Sequence, residues 1–188
     1  GLGQSLESFY DREFIYLENF LAKSIQIQKK YITKWIILID KKMPNHIYEK
    51  IKKLAPENLL YIYSQDPFLS GSLRPNIKTI LQNIGVKSND KIVTIRIDAD
   101  DVFSNDYMNT VINTLNSNNL INKYDQVLVD TASGVYFYPS KNKLIRVFKK
   151  GFSIQALYSI FGKNYLSVFD FSHQKLEKGI VSSGGYCC

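Results

Sequence analysis

Phe14, Leu17, Leu21 and Ile25 stand at i, i+3, i+7 and i+11. That spacing lines one face of a helix, so an amphipathic helix is predicted over residues 11–30. Trp35 to Ile39 is then continuously apolar and stops at Asp40, with Pro44 close behind. A short apolar run without alternation is the pattern of a strand covered on both faces, as in a parallel sheet. Ile47, Ile51 and Leu54 predict a second helix, and Leu59 to Tyr63 a second strand. Ser72 is placed to cap a helix carrying Ile77, Ile80, Leu81 and Ile84, which Gly85 ends. A third strand follows over Lys91 to Ile97, then Ser104 and a helix with Met108, Val111, Ile112 and Leu115.

Helices and apolar strands therefore alternate as αβαβαβα. The alternation predicts an α/β fold, a Rossmann-type, mostly parallel sheet flanked by helices, with ligands beyond the carboxyl ends of the strands. After about Asn119 the pattern changes. Residues 126–130, 134–139 and 144–148 read as short strands with a turn at 140–143, a mixed-sheet extension of the same unit. No internal repeat or linker divides the chain, so residues 1–188 are expected to form one domain.

Composition adds limits. With 188 residues, 45% of them hydrophobic, the chain can fill one core and is short for two. No segment has the apolar length of a membrane span. The only two cysteines, Cys187 and Cys188, are adjacent and can neither staple distant segments nor supply metal-ligand spacing, which points to a reducing cytoplasm. The net charge of +7 is spread over Lys pairs instead of gathered in a block, which favours solvated helix faces over a nucleic-acid site.

The chemistry is concentrated in IRIDADD, residues 95–101, where three carboxylates follow the third strand. Strand alternation would set Asp98 and Asp100 on one side. Carboxylates at the open end of a parallel strand suit Mn²⁺ or Mg²⁺, which take hard oxygen ligands and keep positions for phosphate oxygens. An EF-hand loop counted from Asp98 fails, because it puts Phe103 where Gly is required and Asn109 where Glu should stand. The competing reading is a solvated acidic turn that caps the next helix.

Three stretches resemble the bacterial rhamnosyltransferase family, glycosyltransferases of the GT-A fold. FLAKSIQIQKKYITKWIILID is similar in its Ser24, Gln28, Trp35 and Asp40, TIRIDADD in its acids, and YLSVFDFSHQKL in a late strand ending in a His. The resemblance runs from about Phe9 to Leu176. It implies that Asp98 contacts ribose or metal, Asp100 ligates the metal, Asp101 supports it, Asp40 recognises the base, and His173 reaches metal or diphosphate. Arg74 and Arg96 are candidates for phosphate contact, since a guanidinium matches phosphate geometry. Asp40 is equally well read as a strand terminator that starts a turn. The family's first strand would precede GLGQ, so the resemblance implies a chain that starts after it.

By the same resemblance, about residues 1–118 hold the nucleotide sugar and about 119–188 face the acceptor. The implied reaction moves a sugar from a dTDP-, UDP- or GDP-sugar to a glycan or glycolipid, with inversion, at the inner face of a membrane or in the cytoplasm. A basic chain fits peripheral contact with an anionic membrane surface. Inversion needs a base for the acceptor hydroxyl, and Asp125, Asp130, Asp170 and Glu177 are candidates. The alternatives are a sugar-phosphate nucleotidyltransferase, which needs a Gly-rich phosphate loop after its first strand, and a non-catalytic glycan- or nucleotide-binding module.

Overall fold

The amphipathic helix forms, and its regular spacing conceals an irregularity. In this computed structural model, which describes residues 6–65, 77–117, 119–130, 134–138, 143–147, 155–162 and 165–168, α1 (Leu6–Tyr16) passes through a π turn (Leu17–Leu21) into α2 (Ala22–Gln28). The Ala22 N–H reaches back five residues to the Leu17 carbonyl. Nearby, the Asn19 side-chain amide donates to the Ile15 carbonyl at 3.0 Å. A side chain that takes a helical carbonyl competes with the backbone N–H for it, which is a physical route to the slipped register. Phe14, Leu17, Leu21 and Ile25 are all buried, as their spacing predicts.

The described chain groups into two units, residues 1–75 with 98–102, and residues 76–97 with 103–188. In the first, β1 (Trp35–Asp40) pairs in parallel with β2 (Leu60–Gln65), from Trp35 opposite Leu60 to Asp40 opposite Gln65. The crossover contains α3 (Asn45–Ile51), which buries Ile47 and Ile51. Pro44 precedes this helix, and its carbonyl accepts the N–H groups of Ile47 and Tyr48. Asp40 thus ends β1 at the carboxyl edge of a parallel pair, as expected.

The second unit starts with α4 (Ile77–Asn83), whose apolar stripe of Ile77, Ile80 and Leu81 is buried. Gly85 closes it at φ +92°, with its N–H on the Gln82 carbonyl and that of Val86 on Leu81. This is a Schellman stop, which requires the left-handed conformation that only Gly adopts freely. β3 (Lys91–Arg96), α5 (Tyr107–Ser117), α6 (Leu120–Lys123) and β4 (Gln126–Asp130) follow, then the antiparallel pair β5 (Gly134–Tyr138) and β6 (Lys143–Val147).

The strand that organises this unit is β7 (Gln155–Ile160), for which apolar spacing gave no prediction. It lies antiparallel between β3 and β4, with Thr94 and Leu128 both opposite Leu157. Five of its six residues are buried. The fold is α/β with helices flanking its sheets, as predicted, but only β1–β2 is a parallel pair among the described strands. The apparent βαβ rhythm from β3 to β4 is real in sequence, yet a later strand separates the two. Leu128, Leu157 and Val168 form one buried cluster of this unit, and Val168 is fixed by its N–H on Thr94 Oγ1 at 3.2 Å.

Candidate functional site

Asp40 is held from two directions. Its Oδ1 accepts the Lys42 N–H at 2.7 Å, an Asx turn that starts the connection to α3. Its Oδ2 accepts the Tyr10 hydroxyl at 3.1 Å, from a residue 30 positions earlier on α1. Tyr10 is buried, and burial, the hydrogen bond to Asp40 and that carboxylate's charge all push its hydroxyl above the ordinary tyrosine range. The terminator reading of Asp40 is therefore observed. It leaves lone pairs on both oxygens, so a base-recognition role is chemically compatible with it. No spacing rule could have found Tyr10, because its partner is brought to it by the fold.

β3 ends at Arg96, before the acids. Asp98 to Asp101 form a turn in which the Asp101 N–H donates to the Asp98 carbonyl at 3.1 Å. The expected strand alternation of Asp98 and Asp100 therefore does not apply; a turn, not a pleat, sets their directions. All three acids are solvent-exposed as residues. The Asp101 carboxyl nonetheless lies among enough protein atoms to be partly desolvated, and this raises its pKa above the ordinary aspartate value. Repulsion from Asp100 and Asp98 adds to the rise, and a separate hydrogen bond of the carboxylate to the Asp98 backbone opposes it.

The capping alternative loses its local basis, because α5 is started by other residues. Asp106 gives its carbonyl to the Thr110 N–H at 2.8 Å, and its Oδ1 accepts the Ser104 hydroxyl at 2.8 Å. A helix dipole acts within the first turn, and Asp101 lies six residues before Tyr107. Among the described residues, no three His, Cys, Asp or Glu side chains are arranged to hold a metal ion by themselves. What the turn offers is a set of crowded hard oxygens. Such a set fits a Mg²⁺- or Mn²⁺-sized ion that takes one or two carboxylates and completes its shell with water and phosphate oxygens.

Arg96 is half-buried at the end of β3, directly opposite Gln155 of β7, and Gln155 in turn faces Asp130 at the end of β4. Gln155 is 2% exposed, and its Nε2 has no hydrogen-bond partner among the described residues. A buried amide donor left open is costly, and such groups cluster at working sites. Gln155 was not among the sequence candidates, because nothing in its local pattern distinguishes it from a surface Gln. Asp125 is another candidate base. It precedes β4, at the amino end of that strand, where its carbonyl accepts the Ile160 N–H and its charge helps burial to raise the Tyr158 hydroxyl. The other candidate bases, Asp170 and Glu177, lie outside the described residues with Arg74 and His173, and of Asp130 only the backbone is described.

A cleft of about 280 Å³, lined by Lys29, Thr33, Asn58 and Leu59 among others, opens at the amino ends of β1 and β2. That is the edge opposite Asp40, where ligands of parallel sheets are not held.

The family model described as Putative rhamnosyl transferase matches residues 8–182. No curated protein and no solved structure matches the chain.

Proposed function

The chain belongs to the putative rhamnosyl transferase family, and from that premise we propose that it is a metal-dependent, inverting glycosyltransferase. Membership supports glycosyl transfer in general and implies a nucleotide-sugar donor and a glycan acceptor. The finer reading is transfer of a hexose, rhamnose by the family's description, from a dTDP-, UDP- or GDP-sugar to a hydroxyl of a glycan or glycolipid. One observation carries it: three aspartates crowded into the turn after β3, with the carboxyl of Asp101 raised by burial and by its two neighbours.

Leaving of a nucleoside diphosphate develops negative charge that must be neutralised. A divalent cation, when bound, supplies Lewis-acid stabilisation of that diphosphate. In this proposal Asp98 and Asp100 bind the ion together with ribose or phosphate oxygens, and Asp101 orients them. Asp40 accepts a hydrogen bond from the base, kept in place by Tyr10 and the Lys42 N–H. His173 and Arg74 extend the contact to the diphosphate, and Arg96 adds a cation. A carboxylate from Asp130, Asp170 or Glu177 takes the proton of the acceptor hydroxyl as the anomeric carbon inverts.

The test is a thermal-shift titration with UDP, dTDP and GDP, each with Mn²⁺ or with EDTA, on the native chain and on Asp100→Asn. A nucleotide at about 100 times its Kd stabilises the folded state by about 2.7 kcal/mol. Stabilisation by one nucleotide that requires Mn²⁺ and disappears in Asp100→Asn supports the proposal. Equal stabilisation in EDTA, or in the variant, removes the metal from the reading.

A further inference from the structure

Seven large apolar side chains are exposed among the described residues, and four of them, Phe9, Ile15, Phe20 and Ile27, belong to the run from α1 to α2. Three are about half exposed: Ile15 at 54%, Phe20 at 45% and Ile27 at 59%. In an uninterrupted α-helix, residues five apart diverge by about 140° round the axis, so Ile15 and Phe20 would face different ways. The π turn at Leu17–Leu21 carries i→i+5 hydrogen bonds and brings residues five apart toward one line. Ile27 follows Phe20 by seven residues, two α turns, with a drift of only about 20°. The irregularity thus gathers Ile15, Phe20 and Ile27 on one outward stripe, opposite the buried Phe14, Leu17 and Leu21.

Charge decides what the stripe fits. In α1 and the π turn the charges are mixed: Arg12 pairs with Glu13 at 3.2 Å, Asp11 with His46 at 3.6 Å, and Glu18 is exposed. From Asn19 to Tyr31, by contrast, the chain carries Lys23, Lys29 and Lys30 and no acid. All three lysines are exposed. Lys30 lies with its Nζ 4.7 Å from the centre of the Tyr31 ring. Apolar side chains interleaved with lysines along one helical face are the composition of a helix lying in a membrane interface, the apolar groups entering the headgroup boundary and the lysines meeting anionic lipid.

We propose that the face formed by Ile15, Phe20, Lys23, Ile27 and Lys30 docks on an anionic lipid bilayer. The contact is peripheral: Ile15 to Ile27 is about 18 Å of helix lying in the plane of the surface, and no described helix is long and apolar enough to cross a membrane. The face belongs to a unit whose carboxyl-edge residues include Asp40, so docking would keep the chain at a surface where lipid-borne acceptors are found.

The experiment is co-sedimentation of the full chain with vesicles of phosphatidylcholine alone or mixed with phosphatidylglycerol, without nucleotide, so that its outcome is independent of the catalytic reading. Binding is expected to the mixed vesicles, to weaken in 0.5 M salt, and to be at least tenfold weaker on phosphatidylcholine alone. Each lysine near an anionic surface contributes about fivefold, so Lys23→Gln and Lys30→Gln together should weaken binding by about 25-fold. Phe20→Ser with Ile27→Ser should abolish it while leaving circular dichroism unchanged, since both side chains are exposed. Equal binding to both vesicle types, or no loss in the two double variants, overturns the proposal. So does a concentration-dependent dimer by light scattering that Phe20→Ser with Ile27→Ser disperses, which would assign the face to a second copy.

Discussion

The Tyr10 hydroxyl donates to Oδ2 of Asp40 at 3.1 Å, tying α1 to the carboxyl end of β1. The opposite oxygen is held by the Lys42 N–H, so the carboxylate is fixed in rotation before any ligand arrives. Removing the hydroxyl in Tyr10→Phe keeps the ring and deletes one bond to a charged group, a loss of about 1–2 kcal/mol where the pair is partly buried. Chemical denaturation should show that decrease. If Asp40 recognises a nucleotide base, the variant should also bind nucleotide several-fold less tightly in calorimetry, whereas a purely structural Asp40 would leave nucleotide affinity unchanged.

Asp101 gives a dependence on pH. Its folded-state pKa is raised by desolvation and then by Asp100 and Asp98. A carboxyl raised in the folded state favours folding below its unfolded pKa of about 3.9 and loses that contribution as pH climbs through the higher folded value. Asp101→Asn is therefore expected to raise the melting temperature at pH 7 and to have little effect below about pH 4. The gain is modest, because the residue is open to solvent. A melting series across pH with both proteins checks it, and a gain that grows on acidification would contradict the assignment.

Gln155 separates stability from activity. Replacing it with Leu removes a buried amide that has no partner among the described residues and should leave stability unchanged or raise it by about 1 kcal/mol. If the open Nε2 is a substrate donor, the same variant should raise KM for donor or acceptor. A destabilised Gln155→Leu would show instead that the amide is satisfied in solution.

Thr94→Val tests the frame of the second unit. The Thr94 hydroxyl sits 3.5 Å from the Leu157 carbonyl and accepts the N–H of Val168, which is 2% exposed. The isostere leaves that buried N–H without its acceptor, at a cost of about 1–3 kcal/mol, readable as an earlier unfolding midpoint with an unchanged denaturant slope.

Much of this architecture is legible in local pattern. The apolar run of β1, the stripe of α4 and the stop at Gly85 each follow from steric or periodic rules that act within a few residues. The acids after β3 are equally visible, because their density at a strand end is a local property. What escapes is set by partners far along the chain. QALYSI has neither helical period nor strand alternation, and it becomes the middle of a sheet only because residues 91–96 and 126–130 lie on either side of it. The π turn hides inside a spacing that an ordinary helix would also satisfy. Tyr10 and Gln155 look like any aromatic and any amide until the fold supplies Asp40 to one and burial to the other.

The position of β7 also sets an order of events in time. β3 and β4 leave the ribosome well before the strand that joins them, and in the meantime each presents an unpaired edge toward the place β7 will fill. The sheet closes only through contacts that span about 60 residues from β3, which makes its formation a late and slow step. Until then the nascent second unit is the part of the polypeptide most exposed to mispairing, and chains cut short before Gln155 should accumulate as aggregates while the same segment in the full-length protein stays in solution.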